Sequence, residues 1–198
     1  MADCGFYGKL PSQGDFVSRR LPWEFTSAWD DWLQQGLQAS RAALGARWLE
    51  VYLAAPVWRF QVAPGLCGPQ GWRGLFFASV DRVGRYFPLT LAVADAAADR
   101  PALATLSGAG EQWLAAEDCA LAALDPKLAV DDFDLEIQRL ELPPAIAGGD
   151  GAAAPAFCLY TIGSETIPPR GHEFTALPPP AQFAALLAID AAPQEAAE

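Results

Sequence analysis

The chain has 198 residues, 52% of them hydrophobic and 19% charged, with a formal net charge of -11. That is enough apolar material for a full core, which excludes a disordered chain and sets the expectation of one domain. Residues 1–86 hold nine Lys/Arg against seven Asp/Glu and residues 87–198 hold four against seventeen, so neither a nucleic acid nor an anionic membrane surface is an expected partner.

The N-terminal residues lack a basic start and an apolar run of signal-peptide type, and no stretch approaches 18 uninterrupted apolar residues, which sets the expectation of a cytoplasmic location. Four widely spaced cysteines, Cys4, Cys67, Cys119 and Cys158, are then expected as reduced, buried thiols. Residues 3–10 mix aromatics with glycine ahead of Pro11 and read as a short strand followed by a loop. Pro22 suits the first turn of a long helix, Phe25, Trp29, Trp32, Leu33, Leu37 and Leu44 lie on one face of it, and Gly45 suits its exit.

Four β-like runs follow, at 48–54, 57–62, 72–80 and 86–94, with turn chemistry between the later ones. Their short separations favour antiparallel pairing, and the last two are apolar enough for central strands covered on both faces. From about residue 111 the period turns helical, with Trp113, Leu114, Leu121 and Leu124 on one side; a second helix is expected over 131–140. Residues 143–155, rich in Pro, Ala and Gly, read as a flexible connector, 157–162 as a strand, 168–171 as a loop and 174–177 as a weak strand. A terminal helix is expected over 182–189. The domain is expected to span 1–190, with 191–198 a disordered tail. The order β-α-ββββ-αα-β(β)-α predicts an α+β fold, a mostly antiparallel sheet with helices on both faces.

Familiar catalytic sets are missing. His172 is the one histidine, in a Pro/Gly-rich stretch read as a loop, with no nucleophile signature to accompany it. Asp131, Asp132 and Asp134 fit a helix start better than a cation site. The Gly5-Phe-Tyr-Gly8-Lys9-Leu10 run has too few residues before Gly8-Lys9, and no Ser or Thr after it, to be a phosphate loop. Neither a cofactor nor a metal is expected.

Two polar turns stand out. The first, residues 8–19, carries Lys9, Gln13, Asp15 and Arg19 among turn-forming residues; the second, residues 79–89, carries Asp81, Arg82 and Arg85 between the two most apolar runs. Stiff turns held by hydrogen bonds and a recognition surface on rigid strand ends are compatible readings. A catalytic reading is also open, an uncharacterised hydrolase with Lys9 as base or cation, Asp15 as acid partner and Arg19 lowering the lysine pKa.

The residues Gly5-Phe-x-Gly8-Lys9-Leu10-Pro11-x-x-Gly14-Asp15-Phe16-x-x-Arg19-x-Leu21-Pro22, with Trp29 and Trp32-Leu33, resemble the opening of the TagF/ImpM family of bacterial type VI secretion proteins. The run Ser79-x-Asp81-x-x-Gly84-Arg85-x-Phe87-Pro88-Leu89 resembles that family's second signature. The resemblance implies a non-enzymatic, cytoplasmic, post-translational repressor acting beside a threonine-phosphorylation pathway. Its implied partners are a forkhead-associated scaffold protein and other secretion regulators, and its implied fold is an α/β/α arrangement similar to longin-type adaptors. A structural or assembly component of the apparatus is the alternative. On the first reading Lys9, Gln13, Asp15, Arg19, Asp81, Arg82 and Arg85 form the partner-binding surface; the oligomeric state is left open.

Overall fold

The structure, a computed structural model, describes residues 4–96, 98–108, 110–146, 155–165 and 167–187. The expected tail at 191–198 and the connector residues 147–154 lie outside the described residues. The chain order is β1 (Gly5–Gly8), β2 (Val17–Arg19), α1 (Trp23–Leu44), a 3-10 turn (Gly45–Arg47), α2 (Trp48–Leu53), β3 (Trp58–Val62), β4 (Trp72–Phe77) and β5 (Leu89–Ala94). Then come α3 (Leu103–Ser107), α4 (Gly110–Ala122), α5 (Val130–Gln138), β6 (Phe157–Thr161), β7 (Arg170–Phe174), a second 3-10 turn (Pro180–Gln182) and α6 (Phe183–Leu187). The strands form one sheet in the order β2-β1-β5-β4-β3-β6-β7. Every pairing is antiparallel.

Both faces of the sheet are buried, as the continuous apolar runs predict. Strand alternation sends Phe60, Phe76 and Ala92 to one side, where Phe25, Trp29, Trp32 and Leu33 of α1 pack with Trp48, Tyr52 and Phe183. The other side takes Leu75, Phe77, Leu91 and Val93, covered by Leu106, Trp113, Ala116, Ala120, Phe133 and Ile137. Trp29 is the hub of the first core: its ring lies 4.4 Å from that of Phe60 and 4.9 Å from that of Trp32, and its indole N–H donates to Thr90 Oγ1 at 2.9 Å. A fully buried tryptophan therefore leaves no polar atom unsatisfied. In the second core, Arg59 on central strand β3 is buried and paired. Its Nε donates to Glu117 Oε1 at 2.6 Å and its Nη1 to the Leu106 carbonyl at 2.8 Å, which ties α3 and α4 to the sheet.

Several sequence expectations need correction. The run at 48–54 is helical: Trp48 and Tyr52, one turn apart, stack at 4.8 Å on the core side of α2. Leu114 and Leu121 on α4 and Leu124 just past it are exposed, and Trp113, Ala116, Glu117 and Ala120 are the buried residues of the helix. The stretch at 168–171 enters β7, which carries His172 within a strand, and 174–177 contributes only its first residue to pairing. Strand β2 and helix α3, both short, were not expected. The first described part of the connector is tied down, because Thr105 Oγ1 donates to the Ile146 carbonyl and accepts from its N–H.

Candidate functional site

The two polar turns meet. Residues 9–16 join β1 to β2 and residues 78–88 join β4 to β5; since β1 and β5 are neighbours, both turns emerge at one end of the sheet. The approach is close. Gly8 has φ +142, and a Cβ there would lie 2.1 Å from the Pro88 carbonyl oxygen, so only glycine fits. Besides the Lys9–Asp81 pair, three hydrogen bonds cross between the turns: Ser79 Oγ donates to the Lys9 carbonyl at 2.7 Å, the Arg82 N–H to the Gln13 carbonyl at 2.8 Å, and Arg85 Nη2 to the Gly14 carbonyl.

At the centre sits a buried ion pair. Lys9 Nζ donates to Asp81 Oδ2, and both residues are under 5% exposed (4% and 3%). Asp81 Oδ2 also accepts from Arg85 Nε at 2.7 Å, and its Oδ1 accepts from the N–H groups of Val83 at 3.0 Å and Arg85 at 2.9 Å. The carboxylate thus builds the second turn and reaches across to the first. Gly84, at φ +87, supplies the left-handed residue that lets the chain curl around it. Burial pushes the Asp81 carboxyl up, but the hydrogen bonds from Lys9, Arg85 and Val83 outweigh it and hold the group well below its ordinary value of 3.8.

An aromatic cluster packs beside this pair. Lys9 Nζ lies 4.7 Å from the centroid of Phe16, which stacks on Tyr7 at 5.7 Å and meets Phe87 edge-on at 4.9 Å. The Tyr7 hydroxyl donates to Asp30 Oδ1 on α1 at 2.6 Å. From behind, the Tyr52 hydroxyl of α2 donates to the Ser79 carbonyl at 2.9 Å and accepts from the Ser79 N–H at 3.0 Å. Phe16 lies within the first polar run but carries no charge, and Tyr52 lies outside both runs, so neither was among the expected site residues.

The sequence-predicted residues divide into three groups. Lys9 and Asp81 are buried and serve as the lock between the turns, so they are not presented to solvent. Arg82, Arg85 and Asp15 are exposed on the joined tips and Gln13 is half-buried between them. Arg19 lies apart on β2, 4.0 Å from Asp131 of α5. The Lys9–Asp15 pairing that the catalytic reading needs is not formed: Lys9 engages Asp81, and Asp15 Oδ1 accepts from the Phe16 N–H.

Elsewhere, Asp131 and Asp132 lie in the first turn of α5 and Asp134 pairs with Arg20 at 2.6 Å. Burial, then the charge of Arg170, lowers the pKa of His172. Burial pushes the thiols of Cys4, Cys67 and Cys158 up to about 12, and the four cysteines are free thiols. No group of three potential metal ligands occurs among the described residues. No helix among them is long and apolar enough to cross a membrane.

A seven-stranded antiparallel sheet with helices on both faces, ending in a locked pair of turns, is an open-sheet α+β domain. The chain belongs to the TagF N-terminal domain family, which is type VI secretion system-associated and matches residues 5–140. It is also similar to PA0076 from Pseudomonas aeruginosa PAO1, known from a crystal structure. The two share 34% identity with a TM-score of 0.82 over 94% of each chain. No match is found among the curated proteins.

Proposed function

We propose that this type VI secretion-associated chain is a cytoplasmic, post-translational repressor that works by binding, and that the joined tips are its docking face for a forkhead-associated scaffold protein. One observation carries the reading. Arg82 and Arg85 stand exposed on a surface that a buried ion pair makes rigid; the Arg82 guanidinium forms no ion pair among the described residues, and that of Arg85 stays exposed although its Nε joins Asp81. Rigid strand ends bearing exposed charges suit recognition, because the geometry is set before contact.

The aromatic platform fits the same role. Phe16 is 42% exposed although it packs against two other rings, so it offers a partner an ordered apolar surface beside the arginines. Catalysis through Lys9 has no support from this geometry, since its ammonium is sealed against Asp81 and under Phe16.

The test is a pull-down of the scaffold by the Arg82→Ala, Arg85→Ala double variant, with folding checked by circular dichroism. Binding weakened by at least about tenfold is expected, as for a pair of charged contacts. Undiminished binding by the folded variant removes the tips from the interface.

A further inference from the structure

Beside the second tip lies a cleft that the fold leaves open. Its volume is about 370 Å³, and Arg41, Gly45, Ala46, Trp48, Leu49 and Tyr86 line it. The end of α1, the 3-10 turn and the start of α2 form one wall. The other is Tyr86, which follows Arg85 and makes a β-bridge with Val80. Trp48 and Tyr86 meet edge-on at 6.1 Å, and the Arg41 guanidinium covers the Trp48 ring at 4.1 Å. The cleft therefore has an aromatic floor and a cationic rim.

Its surroundings are apolar where the fold gives no reason for it. Trp48 and Tyr52 use the inner side of the short helix α2; Leu49 and Leu53, one turn apart on the outer side, are 39% and 57% exposed. Val83, at the neighbouring tip, is 65% exposed.

Charge selects the occupant. Arg41, Arg47, Arg82 and Arg85 are exposed at this end of the molecule, and among the described residues Arg41, Arg47 and Arg82 form no ion pair. Asp81 is consumed by the lock, which leaves Glu50 and Asp15 as the exposed acids on these segments. The chain as a whole carries -11, so this end is basic on an acidic body. An acidic partner is repelled by the body and drawn to this end, which orients its approach.

We propose that the cleft takes the leucine-type apolar anchor of an acidic segment of a protein partner, whose carboxylates reach the arginines at the rim and on the second tip. This inference rests on the reading of the tips as a docking face and names the chemistry of what docks. The anchor packs on Leu49 and Tyr86 beside the buried Trp48 and supplies most of the affinity; the carboxylates supply direction and encounter rate.

The probe is a short synthetic peptide of Asp and Glu with central leucines, titrated into the isotope-labelled chain and followed by NMR. Two controls replace its leucines by glycine or its acids by lysine. The expected result is a shift of the Trp48 indole N–H and of signals from residues 49 and 83–86. Leu49→Asp, an exposed change that spares the core, is expected to weaken the binding by about tenfold, and Arg41→Gln serves as a second variant. The proposal is overturned by no shift at roughly millimolar peptide, by equal binding of the glycine or the lysine control, or by shifts confined to other faces. Self-association in light scattering that Leu49→Asp abolishes assigns the cleft to a second copy of the chain and likewise overturns it. Running Leu49→Asp in the scaffold pull-down separates the two readings. Loss with the arginine variant and none with Leu49→Asp sinks the cleft alone, whereas no loss with either sinks the docking face.

Discussion

Asp81 accepts from two backbone amides, one guanidinium and one ammonium, and asparagine in its place offers no charge to the buried Lys9. Removing one partner of a buried pair strands the other, so Asp81→Asn and Lys9→Met are each expected to lower Tm by roughly 10 °C in calorimetry. The pH dependence has a definite sign. With the folded pKa below the ordinary 3.8, the unfolded state takes the proton first as pH falls. The contribution of Asp81 is complete above 3.8 and is lost progressively below it. Stability measured against pH should therefore show the wild type converging on Asp81→Asn in acid, and a gap that stays constant there would sink the lock. Arg59 and Glu117 obey the same physics on the other face: Glu117→Ala is expected to cost about 3–5 kcal/mol in urea unfolding, and replacing both residues by leucine much less.

Among the elements, α6 is held to α1 by a contact that a single methyl group disturbs. A Cβ on Gly36 would lie 2.3 Å from the Phe183 ring, and Trp32 Nε1 anchors the approach to α6 by donating to the Pro178 carbonyl at 3.0 Å. Gly36→Ala is expected to cost about 1–3 kcal/mol by overpacking, offset in part by alanine's helix propensity, and to quicken proteolysis near residues 178–187. Unchanged proteolysis would mean that the ring swings aside freely. Helix α1 was legible in the sequence because its aromatic residues repeat at helical spacing and its ends carry Pro22 and Gly45. Helix α2 was not: a six-residue run with Trp, Val, Tyr and two Leu around Glu50 satisfies a strand pattern equally well, whereas the helix puts Trp48 and Tyr52 on one side, where they stack. On α4 the leucines misled because hydrophobicity alone ranks Leu above Ala, whereas Ala116 and Ala120 are the ones buried in the second core. Composition also exposed both polar turns, since glycine, proline and scarce lysine mark them. Which of their charges face inward depends on β1 lying against β5, a long-range pairing that no local pattern encodes.

For the molecule as a whole, the two cores share one sheet. Central strands β3, β4 and β5 send alternate residues into each, so neither core persists without the other. Unfolding followed by tryptophan emission, which Trp29 and Trp113 report from opposite faces, and by far-ultraviolet circular dichroism is expected to give one coincident transition. Two separate midpoints would show that a layer melts alone. The Lys9–Asp81 lock has a consequence for partner exchange. A surface held in register before contact loses little conformational freedom on association, apart from about 0.5–1.5 kcal/mol for each long side chain immobilised. Capture by the proposed docking face is then a rigid-body event, and how long a partner remains attached is set by its escape rate rather than by any folding of the turns.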